Sequence, residues 1–295
     1  MADRILPAPT TERFDLAAWL GANVQAGDVV HAQENAVYWT EGTKLVDAPP
    51  FTFQGHGATL LAKSPPINKV WNRLFALTGK TVGVQVFDLN VRGPRSVGDG
   101  YNPAYEGQHG FAFDLGVRDS LICRCSSAGV WGDHVYIAGA VNTIVCQLDA
   151  SSESGRHGVA AVHGEDILIY GSKIHGLRTA FNLEVHPNKK TLRYTVDSCE
   201  ARWKLRTITG TGSGEASDIT FKNIKLLGRL NAEVYGIGSP GRSGVRRNWV
   251  LHGFTGPQPD ATPVSRFHDV DGLSITDVPY PCTTTGSTAI LAAAS

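Results

Sequence analysis

Two stretches near the middle of the chain are near-copies. Gly132-Asp133-His134-Val135-Tyr136-Ile137 and Gly155-Arg156-His157-Gly158-Val159-Ala160 begin 23 residues apart. One step earlier stands Gln108-His109-Gly110-Phe111-Ala112-Phe113, and one step later Arg178-Thr179-Ala180-Phe181-Asn182-Leu183. A repeat of this length, built from short apolar-alternating segments, marks a solenoid. The flanking segments repeat too: Leu121-x-Cys123, Ile144-x-Cys146, Ile167-x-Ile169, Leu192-x-Tyr194 and Ile219-x-Phe221 follow at intervals of 23, 23, 25 and 27 residues. Alternation with a period of two means half-buried strands. One coil cannot bury its apolar side alone, but coils stacked about 4.8 Å apart share a continuous core.

The expected fold is therefore all-β, a parallel β-helix. A right-handed one is expected, because coils of about 22–28 residues leave room for three strands and three turns. Propeller blades need about 40–45 residues, and a sandwich has no reason to hold so regular an interval. The 33 glycines agree with frequent tight turns.

The ends read differently. In 1–28, Phe14-Asp15-Leu16-Ala17-Ala18-Trp19-Leu20-Gly21 predicts a short helix, capped by Asp15 and ended by Gly21. It either covers the first coil or faces another subunit. Residues 29–278 form the solenoid. Residues 279–295 are small and weakly patterned, and suit a cover, a tail or a junction with a partner chain. The long interruption between Val91 and His109 is polar, rich in Gly and Pro, and carries Tyr101 and Tyr105. Long loops on regular scaffolds commonly hold binding residues.

Composition excludes some partners. Twenty-seven basic and 27 acidic residues give a formal net charge of zero, so nucleic acid is not an expected partner. No apolar run reaches the roughly 18 residues of a membrane span, and Met1-Ala2-Asp3-Arg4 opens no signal peptide. Synthesis in a cytoplasm without membrane insertion is expected. The five cysteines form no metal motif and the carboxylates no calcium cage, so neither metal nor cofactor is expected. Cys123 and Cys146 read as small inward fillers on neighbouring coils, with a disulfide the minor alternative.

Six of the ten histidines fall between 109 and 186. Aligning coils on Phe111, Val135, Val159 and Phe181 stacks His109, Asp133, His157 and Thr179 just before the strand. His134 sits beside Asp133, while Tyr136 and Asn182 face outward among alanines and glycines. That shallow polar edge suits an extended ligand such as a glycan. The same residues are also consistent with turn-stabilising contacts or with catalysis. Glycoside hydrolysis needs two carboxylates about 5–9.5 Å apart. Asp133 is one; Asp114 and Glu184 lie about 13 Å along the strand direction, and Glu106 in the loop could reach over. Alternatively Asp133 with its histidines acts as a base on a sugar proton, with Arg156 or Arg178 neutralising a uronate.

The short N-terminal helix, Gly57-Ala58-Thr59-Leu60, Gln108-His109-Gly110, Gly132-Asp133-His134 and Gly155-Arg156-His157-Gly158 together resemble the pectate-lyase-like superfamily of right-handed parallel β-helices. Within it, the chain is most similar in style to β-helical bacteriophage tail proteins, including tailspikes. Asp133 and His157 also resemble the polygalacturonase pattern, in which a Gly-Asp-Asp step precedes a Gly-His-Gly step one coil later. Here His134 replaces the second aspartate, and Arg178 lacks the lysine two residues on. The resemblance implies a homotrimeric or tail-assembled virion protein that binds, or binds and depolymerises, a host cell-surface polysaccharide. The alternatives are a bacterial polysaccharide hydrolase or lyase and a non-catalytic virion component. The implied catalytic residues are Asp133, His134 and His157. The implied substrate-binding residues are His109, Tyr136, Arg156, Arg178, Asn182, Glu184, Tyr101 and Tyr105.

Overall fold

The computed structural model describes residues 1–65, 72–96, 99–100, 102–150, 154–176, 178–203, 206–227, 235–237, 244–256, 265–278 and 282–291. The chain is a right-handed parallel β-helix with three faces. The first face stacks Lys44–Val46, Phe75–Thr78, Phe111–Phe113, the start of Val135–Cys146, the start of His157–Tyr170, Thr179–Leu183 and Arg206–Gly210. The second face holds strands such as Gln85–Phe87, Arg118–Cys123 and Lys190–Asp197. The third runs from Val37–Trp39 to Lys225–Leu226.

Inward side chains form columns, because parallel register repeats the same side of each strand. Phe75, Phe111, Val135, Val159, Phe181 and Ile208 make one column, and all are buried. Its aromatic rings touch, with Phe75 and Phe111 centroids 6.2 Å apart. Phe113, Ile137, Ala161 and Leu183 make the next column. On the third face Leu60, Val91, Ser127, Ala150, Ile174 and Ala201 stack inward. Ser127 is the polar member of that column.

The second face corrects the alignment expected around its corner. Asp119, Asn142, Asp166, Arg193, Asp218 and Asn248 lie in one row of left-handed residues, with Gly272 continuing it. Asn and Asp tolerate that conformation better than most residues. Each one breaks the strict alternation. The inward column is therefore Ile122, Val145, Ile169, Val196, Phe221 and Leu251. Cys123 and Cys146 point the other way. They are register partners with Cα atoms 4.6 Å apart, joined by a disulfide rather than filling the core.

Helix α1 spans Leu16–Asn23. Asp15 caps it, its side chain accepting from Ala18 N at 3.0 Å. Gly21 does not end it: Val24 N still donates to Leu20 O at 3.0 Å, and the chain then turns extended. Leu16 and Leu20 are buried in the core, with Trp19 packed partly against it. Strand pairing also occurs on either side of residues 29–278. Asp3–Ile5 pairs with Val29–His31, while Cys282–Thr285 and Ala289–Leu291 extend the first and second faces at the far end.

Candidate glycan groove on the first face

The outward side of the first face carries a floor of small residues. Ala76, Ala112, Tyr136, Ala160, Asn182 and Thr209 follow one another in register. Tyr136 is the large one among them, and a ring on a small-residue floor can contact the apolar side of a sugar. Thr209 Oγ1 donates to Asn182 Oδ1 at 2.5 Å, which fixes the amide.

Beside this floor runs the polar row at the corner: Arg73, His109, Asp133, His157, Thr179 and Arg206. His109 is 1% exposed. Its Nδ1 accepts from Asp133 N at 2.9 Å and lies 3.4 Å from Asp133 Oδ2. A nitrogen that accepts a backbone N–H carries no proton, so this closeness is not an ion pair. Burial, with the charges of Arg73 and Arg156 nearby, holds the His109 pKa well below its ordinary value. The imidazole lies flat against Tyr136, centroids 4.4 Å apart and planes at 7°. Arg73 approaches the Tyr136 ring at 5.4 Å and pairs with Asp114. Burial raises the Tyr136 phenol pKa, and Asp133 and Glu184 add smaller upward contributions.

Asp133 is fully buried. Arg156 Nε and Nη2 donate to its two oxygens at 3.2 and 3.4 Å, and His157 N donates at 3.2 Å. Burial pushes its pKa up to about 6, against the lowering effect of Arg156. Arg156 Nη1 also donates to Glu106 Oε2 at 3.1 Å. The guanidinium thus lies between a buried carboxylate and a partly exposed one. His157 is buried, and burial keeps its pKa well below the ordinary value.

His134 belongs elsewhere. It turns into the corner between the third and first faces, where Nδ1 meets Ser127 Oγ and Nε2 meets Ser154 O, both at 2.9 Å. Both ring nitrogens are engaged, and burial takes its pKa down to about 4. This contact explains the serine in an apolar column. Arg178 is exposed one coil beyond Arg156, its N–H donating to Arg156 O at 2.9 Å. Glu184 is exposed beyond the floor. Tyr105 packs edge-on against Trp131, centroids 4.9 Å apart, so it anchors the loop. Tyr101 lies outside the described residues.

Arg73 and Asp114 form the part of the groove that sequence reading missed as a pair. Arg73 stands two residues before Phe75, as His109 does before Phe111, so the register held that signal. The groove opens into a cleft of about 750 Å³ lined by Lys44, Arg73, Ala76, Thr78, Asp114 and Ala138, among others. Among the described residues no group of three or more His, Cys, Asp or Glu is placed to hold a metal, and no helix is long and apolar enough to cross a membrane.

No family model and no curated protein sequence matches the chain. Solved structures do match its fold. The Dettilon tailspike protein aligns over 96% of this chain at 12% identity and a TM-score of 0.65, and the chain spans 59% of the tailspike's length. Endo-xylogalacturonan hydrolase from Aspergillus tubingensis aligns over 97% of this chain and 90% of its own, at 14% identity and a TM-score of 0.60. The surface adhesin PfbA of Streptococcus pneumoniae aligns over 92% and 84%, at 11% identity and a TM-score of 0.55. At these identities the likeness is one of fold.

Proposed function

We propose that this protein is a bacteriophage tail-associated β-helix that binds a host cell-surface polysaccharide along its first face. The observation that carries the reading is the pairing of Tyr136 with the Arg156–Glu106 edge, which stand partly exposed above a row of small residues from Ala76 to Thr209. The small residues of that row lie beneath their neighbours, so an extended chain would meet the partly exposed Tyr136, Arg156 and Glu106 above them. The adjoining guanidinium, carboxylate and amide groups supply directional hydrogen bonds. The tailspike and hydrolase folds support a surface of this kind, and the tailspike likeness supports a homotrimer within a virion tail.

Binding is favoured over cleavage, because the carboxyl of Asp133 lies beneath Arg156 with no exposed surface. Depolymerisation is the second reading. It is favoured by one observation: a pKa of about 6 leaves part of the Asp133 population protonated near neutrality, as a general acid requires. Arg156 would then have to swing away from it.

Titration calorimetry of the protein against host surface polysaccharides tests the first reading. Binding is expected, with loss in Tyr136→Ala. Binding that is indifferent to Tyr136 and Arg156 substitutions would reject the first face. Reducing-end and near-ultraviolet assays on the same mixtures test the second, with product formation abolished in Asp133→Asn. Mass photometry tests the trimer, and a clean monomer at micromolar concentration would reject it.

A further inference from the structure

The groups around Tyr136 limit the charge that a ligand there can carry. Arg156 spends all three of its nitrogens on carboxylates: Nε and Nη2 donate to the two oxygens of Asp133 at 3.2 and 3.4 Å, and Nη1 to Glu106 Oε2 at 3.1 Å. A carboxylate or phosphate on a ligand docks best on a guanidinium through two parallel N–H groups. Asp133 already fills that fork. Arg73, the other guanidinium beside the ring, pairs with Asp114. The charges felt at the Tyr136 hydroxyl are Arg73 and Arg156 against Asp133 and Glu184, two of each sign. What reaches solvent is weighted towards the acids. The Glu106 side chain is 39% exposed against 20% for its partner Arg156, and Glu184 is exposed. Exposed carboxylate oxygens accept hydrogen bonds and donate none. They suit sugar hydroxyls, which donate, and they repel a ligand carboxylate, sulfate or phosphate.

We infer that the polysaccharide carries no negative charge on the stretch that crosses Tyr136: it is a run of neutral sugars. Their hydroxyls donate to Glu106, and a sugar ring rests on the exposed part of Tyr136. The inference rests on the groove reading above and adds the chemical class of the ligand to it. Uronates and sulfated or phosphorylated sugars are turned away from this stretch, because both guanidinium groups beside the ring are spent within the protein.

A panel of purified bacterial surface polysaccharides of known structure, neutral and acidic, is titrated by calorimetry in about 0.01 M and about 1 M salt, between which the screening length falls from roughly 30 Å to 3 Å. Neutral members are expected to bind, with affinities that change less than about twofold between the two salts. The C6 hydroxyls of the best neutral binder are then oxidised to carboxylates. Affinity is expected to fall at least about tenfold in low salt and to recover in part in high salt, as screened like-charge repulsion does. Glu106→Gln removes one repelling charge and keeps the size of the side chain. It is expected to narrow the gap between oxidised and parent polymer by about threefold or more in low salt, with an unchanged circular dichroism spectrum. Acidic members that bind as well as the neutral ones, or better, would overturn the inference and leave the groove reading standing. Loss of that acidic binding in Arg178→Ala would then assign the anion to this exposed guanidinium. Equal affinity for parent and oxidised polymer, or a gap that Glu106→Gln does not narrow, would sink the inference as well. Binding by no member of the panel would reject the groove reading, and the inference with it.

Discussion

Arg156 Nε lies 3.2 Å from Oδ1 of Asp133, and that carboxylate has no exposed surface. The guanidinium therefore compensates a charge that water cannot reach. Arg156→Ala is expected to cost about 3 kcal/mol at pH 7, the order seen when one partner of a buried pair is removed. The cost should shrink towards pH 4, where Asp133 takes up a proton and needs no partner. Urea unfolding at both pH values measures this. Equal destabilisation at the two would show that packing, and not the charge, is what Arg156 contributes.

The buried titrating groups of the polar edge oppose one another. His109, His134 and His157 are held neutral by burial, with His134 down to about 4. A histidine with a depressed folded pKa adds stability above its unfolded value of about 6.5, and loses it as pH falls towards the folded value. Asp133, raised to about 6, works the other way. Its folded form takes up a proton before the unfolded chain does, so it stabilises as pH falls from about 6 towards 3.8. Melting temperature should therefore drop on acidification below pH 6.5, and drop more steeply in Asp133→Asn. A variant profile parallel to that of the wild type between pH 6 and 4 would contradict the raised carboxyl.

Tyr136→Ala should weaken polysaccharide binding at least about tenfold, the order expected for a central aromatic contact. Tyr136→Phe should keep most of the affinity, since the ring stays against His109. Circular dichroism should be unchanged in both. Equal losses in the two variants would shift the contact from the ring to the hydroxyl.

The disulfide between Cys123 and Cys146 closes a stretch with a sequence separation of 23 residues. Chain-entropy reasoning assigns about 3 kcal/mol to a loop of that size. Calorimetry with and without reductant should show the melting temperature falling by roughly 5 °C. No shift would mean that the paired coils hold each other equally well when reduced.

The first face was legible because its inward positions carry Phe111, Val135, Val159 and Phe181, each with a polar residue two positions before it, which removes any ambiguity of parity. The stack of His109, Asp133 and His157 followed from that alignment, as did the outward Tyr136 and Asn182. The second face was harder. Leu121, Ile122 and Cys123 are consecutive apolar residues, so alternation alone cannot say which one points inward. Each left-handed residue, such as Asp119 or Asn142, shifts the count again. The place of His134 was hidden for another reason. Its partners are Ser127 on the third face and a backbone oxygen, neither of which leaves a mark beside it in the chain. The Arg73–Asp114 pair joins residues on neighbouring strands of the first face, and such a pair becomes visible only once the coils are stacked.

The row of left-handed residues on the second face has a consequence for how such a molecule can change. Cross-coil bonds recur along it: Asn142 Nδ2 donates to Asp119 Oδ1 at 2.7 Å, and Asn248 Nδ2 to Asp218 Oδ1 at 2.8 Å. From this row to the third face every one of these coils has the same length, since Ser126, Asp149, Lys173, Glu200 and Lys225 stand in register at one fixed spacing beyond it, so this side acts as a fixed spine. The side entering the first face varies: its strand begins well after Asn90–Arg92 in one coil, at Phe111, sooner after Ser126–Ala128 in the next, at Val135, and almost at once after Lys173–Gly176 in another, at Thr179. Residues can be inserted or removed on that side while the spine keeps every later strand in register. Variation is channelled to the rim of the groove, where a new ligand would be met, and kept away from the bonds that hold the coils together.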